Sequence, residues 1–346
     1  MARGYSNYRG RRPKWKTLVV VLLVLVILAA VGFMVMQRFI VYDDMGVPQM
    51  TLPGMERPQP QNPQLGEVDI TIEEGEPEQQ AAVQTLRAVQ LGDDPAAWEE
   101  TLASSGRQAF CVTVKAAGGQ LRYPFDVSVA GQVRADTAAA AEEALRALLN
   151  SGGYSIARIS CLRDGSVARA NVETMSLKNT GGFVFYDGNN ENWLDPAKEA
   201  TRGYLSALAV ECADLGFDEI LLTDLSYPTV GKLDKIAYGD SGSESQAAWN
   251  AEQINQLVAA VKTALGDRDV QVSMEVPETV LENGGVDETA GIDLRGRLQE
   301  QLSRVYVPTT AEQAEAFSAM LADGMLVPEL TAAPADESRS YLLLEP

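Results

Sequence analysis

From residue 81 to the C-terminus, short apolar runs alternate with longer helical patterns, and this order most constrains the fold the chain can adopt. Strands are expected at Leu86 to Leu91, Ala109 to Lys115, Ser155 to Leu162, Glu219 to Asp224, Val270 to Val276, Arg304 to Val307, Met325 to Leu330 and Tyr341 to Leu344. Helices are expected near Pro95 to Ser104, Thr137 to Leu149, Pro196 to Leu215, Gln246 to Leu265, Leu294 to Leu302 and Ala311 to Ala322. Their ends are marked. Asp195 before Pro196 is a start signal, Gly216, Gly266 and Gly324 are stops, and Thr310 with Gln313 is a capping box. Strand–helix alternation implies a parallel sheet. Eight strands in the 266 residues from 81 to 346 predict an α/β fold of the (β/α)8 TIM-barrel type. A doubly wound sheet is the rival, but no Gly-rich phosphate turn follows the first strand.

The residues before this domain follow other rules. Thr17 to Met36 is an uncharged, almost wholly apolar run of 20 residues, which as a helix at ~1.5 Å per residue spans a bilayer core of ~30 Å. Six of the seven Lys and Arg among the first 38 residues precede it, and no acid does. The positive-inside bias therefore puts residues 1–16 in the cytoplasm and the C-terminal domain outside the cell, on a single-pass membrane anchor. A cleaved signal peptide would carry a shorter apolar region and a small-residue exit, which Gly32-Phe33-Met34 is not. Residues 37–80 hold "PQPQNPQ" at Pro58 to Gln64 and "EEGEPE" at Glu73 to Glu78, a composition expected to form an extended stalk rather than a core.

Composition removes whole classes of chemistry. The chain has no histidine, so Ser-His-Asp and Cys-His catalysis and imidazole-based zinc sites are excluded. Its net charge is -20, and setting aside the seven N-terminal basic residues leaves -27 for the remainder, which argues against nucleic acid as a partner. Cys111, Cys161 and Cys212 each lie in an apolar periodic segment, and an odd count reads as buried thiols. The loop "DGNNEN" at Asp187 to Asn192 is rich in oxygen but lacks the spacing and closing glutamate of a calcium hand, so no metal or cofactor is expected.

Five stretches carry a resemblance. "KAAGGQLRYPF" (Lys115 to Phe125), "YSIARISCLRDG" (Tyr154 to Gly165), "NWLDP" (Asn192 to Pro196), "GFDEILLTDLSYP" (Gly216 to Pro228) and "GIDLRGRL" with "RVYVPT" (Gly291 to Thr309) stand in fixed order. In them the chain resembles a bacterial family of glycoside-hydrolase-like domains of unassigned function, and the likeness covers nearly all of the domain from about Ala81. The resemblance implies a barrel related to the retaining amylase-like enzymes. It also exposes departures. Family members read "IDVKDDxG" on the second strand and "GFDEIQFDYVRFP" on the fourth. Here the second-strand aspartate is replaced by Thr113, the acidic pair by Ala116 and Ala117, the fourth-strand aspartate by Thr223 and its arginine by Ser226.

Side-chain alternation sorts the acids that remain. Asp224 shares a face with Ile220 and Leu222 and is expected toward the helix layer or the turn, while Thr223 shares the opposite, lumen-facing side with Leu221 and Leu225. Glycoside hydrolysis requires two carboxyl groups flanking the scissile bond, which in a barrel stand at the C-terminal ends of strands. Parity supplies Glu275, in phase with Gln271 and Ser273, and Asp164, in phase with Arg158, Ser160 and Leu162; Asp224 is the third candidate. Lys115, Arg158, Thr223 and Tyr306 are candidates for a substrate-binding rim, and Trp193 and Tyr123 for stacking on sugar rings. The plainer alternatives are a turn role for Asp164, charge neutralisation for Lys115 or Arg158, and packing for both aromatics. Three functions stay open. One is a membrane-anchored barrel that binds an envelope polysaccharide with weak or no hydrolysis. Another is an active hydrolase using Glu275 with Asp164 or Asp224, and the third is an envelope interaction module that binds no sugar.

Overall fold

The computed structural model describes residues 40–42, 48–50, 85–239 and 245–344. It divides into two units, Met1–Glu78 and Gln79–Pro346. In the first, the described residues form one antiparallel pair, Ile40–Tyr42 against Pro48–Met50. The apolar run from Thr17 to Met36 lies outside the described residues, among which no helix is long and apolar enough to cross a membrane.

The second unit is the expected barrel. Its eight strands are β1 (Arg87–Leu91), β2 (Ala109–Lys115), β3 (Ser155–Ser160), β4 (Glu219–Thr223), β5 (Gln271–Glu275), β6 (Val305–Pro308), β7 (Leu326–Leu330) and β8 (Tyr341–Leu343). Each pairs in parallel with the next, and β8 pairs in parallel with β1, which closes the sheet. The helices are α1 (Trp98–Ser105), α2 (Ala138–Asn150), α3 (Gly165–Ala170), α4 (Glu199–Leu215), α5 (Gln246–Leu265), α6 (Glu278–Glu282), α7 (Arg297–Gln301) and α8 (Ala311–Phe317). Every crossover except β7 to β8 contains a helix. Among these, α3 and α6 are additions to the six helices expected from periodicity. Each is five or six residues long and starts directly behind a strand end, too short to show a 3.6-residue repeat.

Local chemistry sets the element ends. Ser245 Oγ accepts from the Ala248 amide at 3.2 Å to start α5, and Thr310 Oγ1 accepts from the Gln313 amide at 3.2 Å to start α8. Helix α4 stops at Gly216, whose φ of 100° a side chain would resist.

Alternation along the strands builds two cores. The lumen is filled by Ala88, Cys111, Ile156, Leu221, Tyr306, Val327 and Leu342. The outward faces, including Val112, Ile159, Ile220, Leu222, Met274 and Val305, pack under Leu205, Leu208, Ile254, Leu257 and Val261 of α4 and α5. Each such aliphatic side chain contributes about 1.5–3 kcal/mol on burial. The three cysteines are free and buried, with Cys111 in the lumen and Cys161 and Cys212 in the outer layer. At the N-terminal end of the lumen the fully buried Glu219 accepts from Tyr306 Oη at 2.9 Å, Tyr154 Oη at 2.9 Å and Arg304 Nη1 at 2.6 Å. A buried charge held by three donors in this way fixes one end of the barrel.

Candidate functional site

At the opposite end, β3 points Arg158 into the lumen above Ile156. Its guanidinium donates to both carboxylate oxygens of Glu329 on β7, at 3.0 and 3.2 Å, and to Glu275 at the end of β5. Gln90 on β1 accepts from Arg158 Nη1 at 3.4 Å and donates to Thr113 Oγ1 on β2 at 3.3 Å. Three strands besides β3 therefore converge on one cation, and β2 joins them through Gln90. The side chain of Glu329 is 2% exposed, and burial raises its carboxyl above the ordinary glutamate range, with Arg158 pulling the other way. Beneath them burial pushes the Cys111 thiol up to about 12, so it is a neutral packing group.

The end of β4 breaks the alternation. Thr223 is buried at the end of β4, in phase with the lumen residue Leu221. Asp224 does not turn to the helix layer with Ile220 and Leu222. Its backbone takes a left-handed φ of 48°, and its carboxylate accepts from Ser160 Oγ at 2.6 Å and from Arg163 Nη1 at 3.3 Å. A left-handed non-glycine residue redirects its side chain at a cost of about 1–3 kcal/mol, which the two hydrogen bonds offset here. Arg163 also pairs with Glu191, at 2.9 Å from Nε.

Lys115 and Asp164 meet away from this cluster. The pairing of β2 with β3 shifts between Thr113 and Lys115, so Lys115 stands opposite Ile159, an outer-layer residue. The extra residue of such a bulge reverses parity, which is why alternation from Thr113 misplaces the lysine. Lys115 Nζ donates to the Ser160 carbonyl at 2.6 Å, lies 3.1 Å from Asp164 Oδ2 and sits 5.9 Å from the Tyr204 ring centroid. Asp164 Oδ1 caps α3 through the Val167 amide at 3.0 Å. Both charged side chains are fully buried, and the hairpin at Ala117–Gly119 closes over them, with the Gly118 amide donating to the Arg163 carbonyl at 2.7 Å.

The aromatic candidates are in the core. Trp193 is buried and donates from Nε1 to Asp187 Oδ2 at 3.0 Å, and Tyr123 packs against Phe125 at 5.1 Å between ring centroids. Tyr306 lies wholly inside the barrel and turns its hydroxyl to Glu219, away from the mouth. Asp187 Oδ1 accepts from the Asn189 and Glu191 amides at 2.9 and 2.8 Å, so the loop "DGNNEN" is an aspartate-nucleated turn. Among the described residues no group of three or more acidic or cysteine side chains is placed to hold a metal.

Residues 98–294, more than half of the chain, match the model of the family described as "Putative glycosyl hydrolase domain". The chain belongs to that family. A comparison with curated proteins finds no match. Among solved structures, this chain is similar to a hypothetical protein from Ruminiclostridium thermocellum, at 21% identity and a TM-score of 0.44 over 52% of this chain and 89% of that one. It is similar to the PgaB (BpsB) glycoside hydrolase domain from Bordetella bronchiseptica at 15% identity and a TM-score of 0.48, over 76% and 94% of the two chains. A chitinase from Chromobacterium violaceum aligns at 11% identity and a TM-score of 0.41, over 71% and 68%.

Of the residues singled out in the sequence, the fold brings Arg158 and Glu275 together. It places Thr223 and Asp224 at the neighbouring strand end, and Asp164 with Lys115 in the outer layer. Glu329 joins the first pair and lies beyond the family match. Its signal was a charged residue in phase with Val327 in the otherwise apolar run "LVPEL". Ser160 and Arg163, with Glu191 paired to Arg163, had no such signal, because Asp224 reaches the first two only through an unusual backbone angle.

Proposed function

We propose that this barrel binds a cell-envelope polysaccharide at its C-terminal mouth with weak or no hydrolysis, held outside the cell by a single membrane anchor at Thr17 to Met36. One observation carries the proposal: the acids near the mouth are already engaged. Glu275 and Glu329 share Arg158, and Asp224 is held by Ser160 and Arg163. A retaining or inverting mechanism needs one carboxyl free to protonate the leaving oxygen and a second free to attack or to activate water. Thr113 and Thr223 stand where the family pattern has acids. A hydroxyl with no nearby base cannot replace a carboxylate nucleophile. Arg158, Gln90 and Glu275 retain the donors and acceptors that orient sugar hydroxyls.

A second function is favoured by one feature. The Glu329 carboxyl is raised by burial and shares a guanidinium with Glu275, and a raised carboxyl beside a second acid is a pairing that acid–base catalysis uses. Incubating the intact chain with chitohexaose, maltohexaose and purified peptidoglycan distinguishes the two. Binding without release of new reducing ends supports the first, whereas hydrolysis abolished by Glu275→Gln with binding retained establishes the second.

The anchor has its own test. Expressed in an exporting cell, the chain should fractionate with membranes and be released by external protease cutting within residues 37–80. A soluble product with a new N-terminus near Ala30 would mean the apolar run is cleaved.

A further inference from the structure

The β3–β4 crossover stays at the mouth for a long stretch. The residues between α3, which ends at Ala170, and α4, which starts at Glu199, stay on the C-terminal side of the barrel, as do the described residues that follow β4, up to Gly239. These two mouth-side segments are stitched to each other. Asn179 bridges Ile236, the Thr180 amide donates to the Lys235 carbonyl at 2.8 Å, and the Gly188 amide donates to the Val230 carbonyl at 3.0 Å. Where Gly188 and Gly231 face each other the backbones touch so closely that a Cβ on Gly231 would lie 2.6 Å from the Gly188 nitrogen. The ledge so formed is tied to the mouth through Glu191, whose carbonyl accepts from the Asp187 amide and whose carboxylate pairs with Arg163 on Asp224.

Among the described residues five large hydrophobic side chains are exposed, and three of them are on this ledge: Phe183 at 73%, Tyr186 at 50% and Val230 at 44%. The two aromatics are the only rings in that group, in a domain whose other candidate stacking rings, Trp193 and Tyr123, are buried. An exposed aromatic costs solubility and marks a contact surface when several cluster. We infer that Phe183 and Tyr186 form a stacking platform for pyranose rings, an outer subsite that extends the mouth along a glycan chain. The apolar C–H face of a sugar ring lies flat on an aromatic face, while the exposed Asn189 and Asn190 of the same turn supply amides for its hydroxyls. The inference rests on the glycan-binding proposal above, and it fixes the ligand class as an oligosaccharide long enough to reach from Asp224 to the ledge.

Binding of chitohexaose, cellohexaose and maltohexaose, with their disaccharides, to the intact chain in detergent tests it. At least one hexasaccharide should bind more tightly than its disaccharide. In the double variant Phe183→Ala/Tyr186→Ala the hexasaccharide should weaken about tenfold toward the disaccharide value, and Phe183→Trp should retain wild-type affinity. Equal binding of hexa- and disaccharide, or a double variant with unchanged hexasaccharide affinity, overturns the platform while leaving the mouth in place. If that variant instead dissociates an oligomer with glycan affinity unchanged, the ledge is a contact between copies of the chain. Absence of binding to all three hexasaccharides and to purified peptidoglycan rejects the platform and the glycan-binding proposal together.

Discussion

Arg158 on β3 holds both oxygens of Glu329 on β7, at 3.0 and 3.2 Å, across the full width of the barrel lumen. Opposed strands are thus joined by a forked, charge-assisted pair at the level where a barrel enzyme does its chemistry. Removing the cation leaves two acids facing each other, one of them buried. Arg158→Met is therefore expected to destabilise the domain by about 3 kcal/mol. The double variant Arg158→Met/Glu329→Leu should recover part of that loss, because the buried unpaired charge is gone and only the part-exposed Glu275 is left without its partner. Thermal unfolding of the two chains checks the order, and a double variant less stable than the single one would show that the pair itself is strongly net stabilising.

The same contact sets a pH dependence. Burial raises the Glu329 carboxyl above the ~4.3 of an unfolded glutamate, and Arg158 opposes that rise. A carboxyl raised on folding stabilises the protein most below its unfolded value. That contribution is lost as pH rises through the folded value. Carbon-13 NMR of glutamate side chains should show one resonance titrating above the rest, assigned by its absence in Glu329→Gln. It should move higher still in Arg158→Gln. A resonance that stays in the ordinary range would remove the basis for assigning Glu329 any acid role.

Asp224 makes a different kind of prediction, because its cost and its benefit come from separate parts of the residue. The left-handed φ of 48° is tolerated by asparagine and glycine, while only asparagine can also keep the bond to Ser160. Stability should fall in the order Asp, Asn, Gly, Val, with Asp224→Val losing about 3 kcal/mol from backbone strain and missing bonds together. If Asp224→Val matched Asp224→Gly, backbone strain would not be what distinguishes the site.

The architecture was legible because it is written in periodicity. All eight strands and six helices could be placed from apolar spacing, since burying one face of every strand against α4, α5 and their neighbours demands that pattern. Arg158, Glu275 and Thr223 were legible for the same reason, as polar residues in phase with lumen positions. The rest of the mouth was hidden by two breaks in phase. One extra residue at the bulge before Lys115 turns that lysine outward, and one positive φ turns Asp224 inward. Neither leaves a mark in spacing. Exposure of Phe183 and Tyr186 depends on how two segments more than 40 residues apart are stitched together, which no local pattern records.

The hairpin over Asp164 offers a test in which one glycine controls for its neighbour. Gly118 and Gly119 both have positive φ, 82° and 94°, so alanine at either carries a backbone cost of about 1–2 kcal/mol. They differ in what a side chain would meet. Nothing lies within 4 Å of a Cβ on Gly118, whereas one on Gly119 would overlap the Asp164 carboxylate. That carboxylate caps α3 and pairs with the buried Lys115, so displacing it loses a cap of about 1 kcal/mol and leaves an ammonium without its partner. Gly119→Ala should therefore cost at least about 3 kcal/mol more than Gly118→Ala in thermal or denaturant unfolding, and Lys115 should become reactive to amine labelling only in the former. Equal losses would mean that the hairpin lifts as a unit, and that Asp164 keeps both its bonds without it.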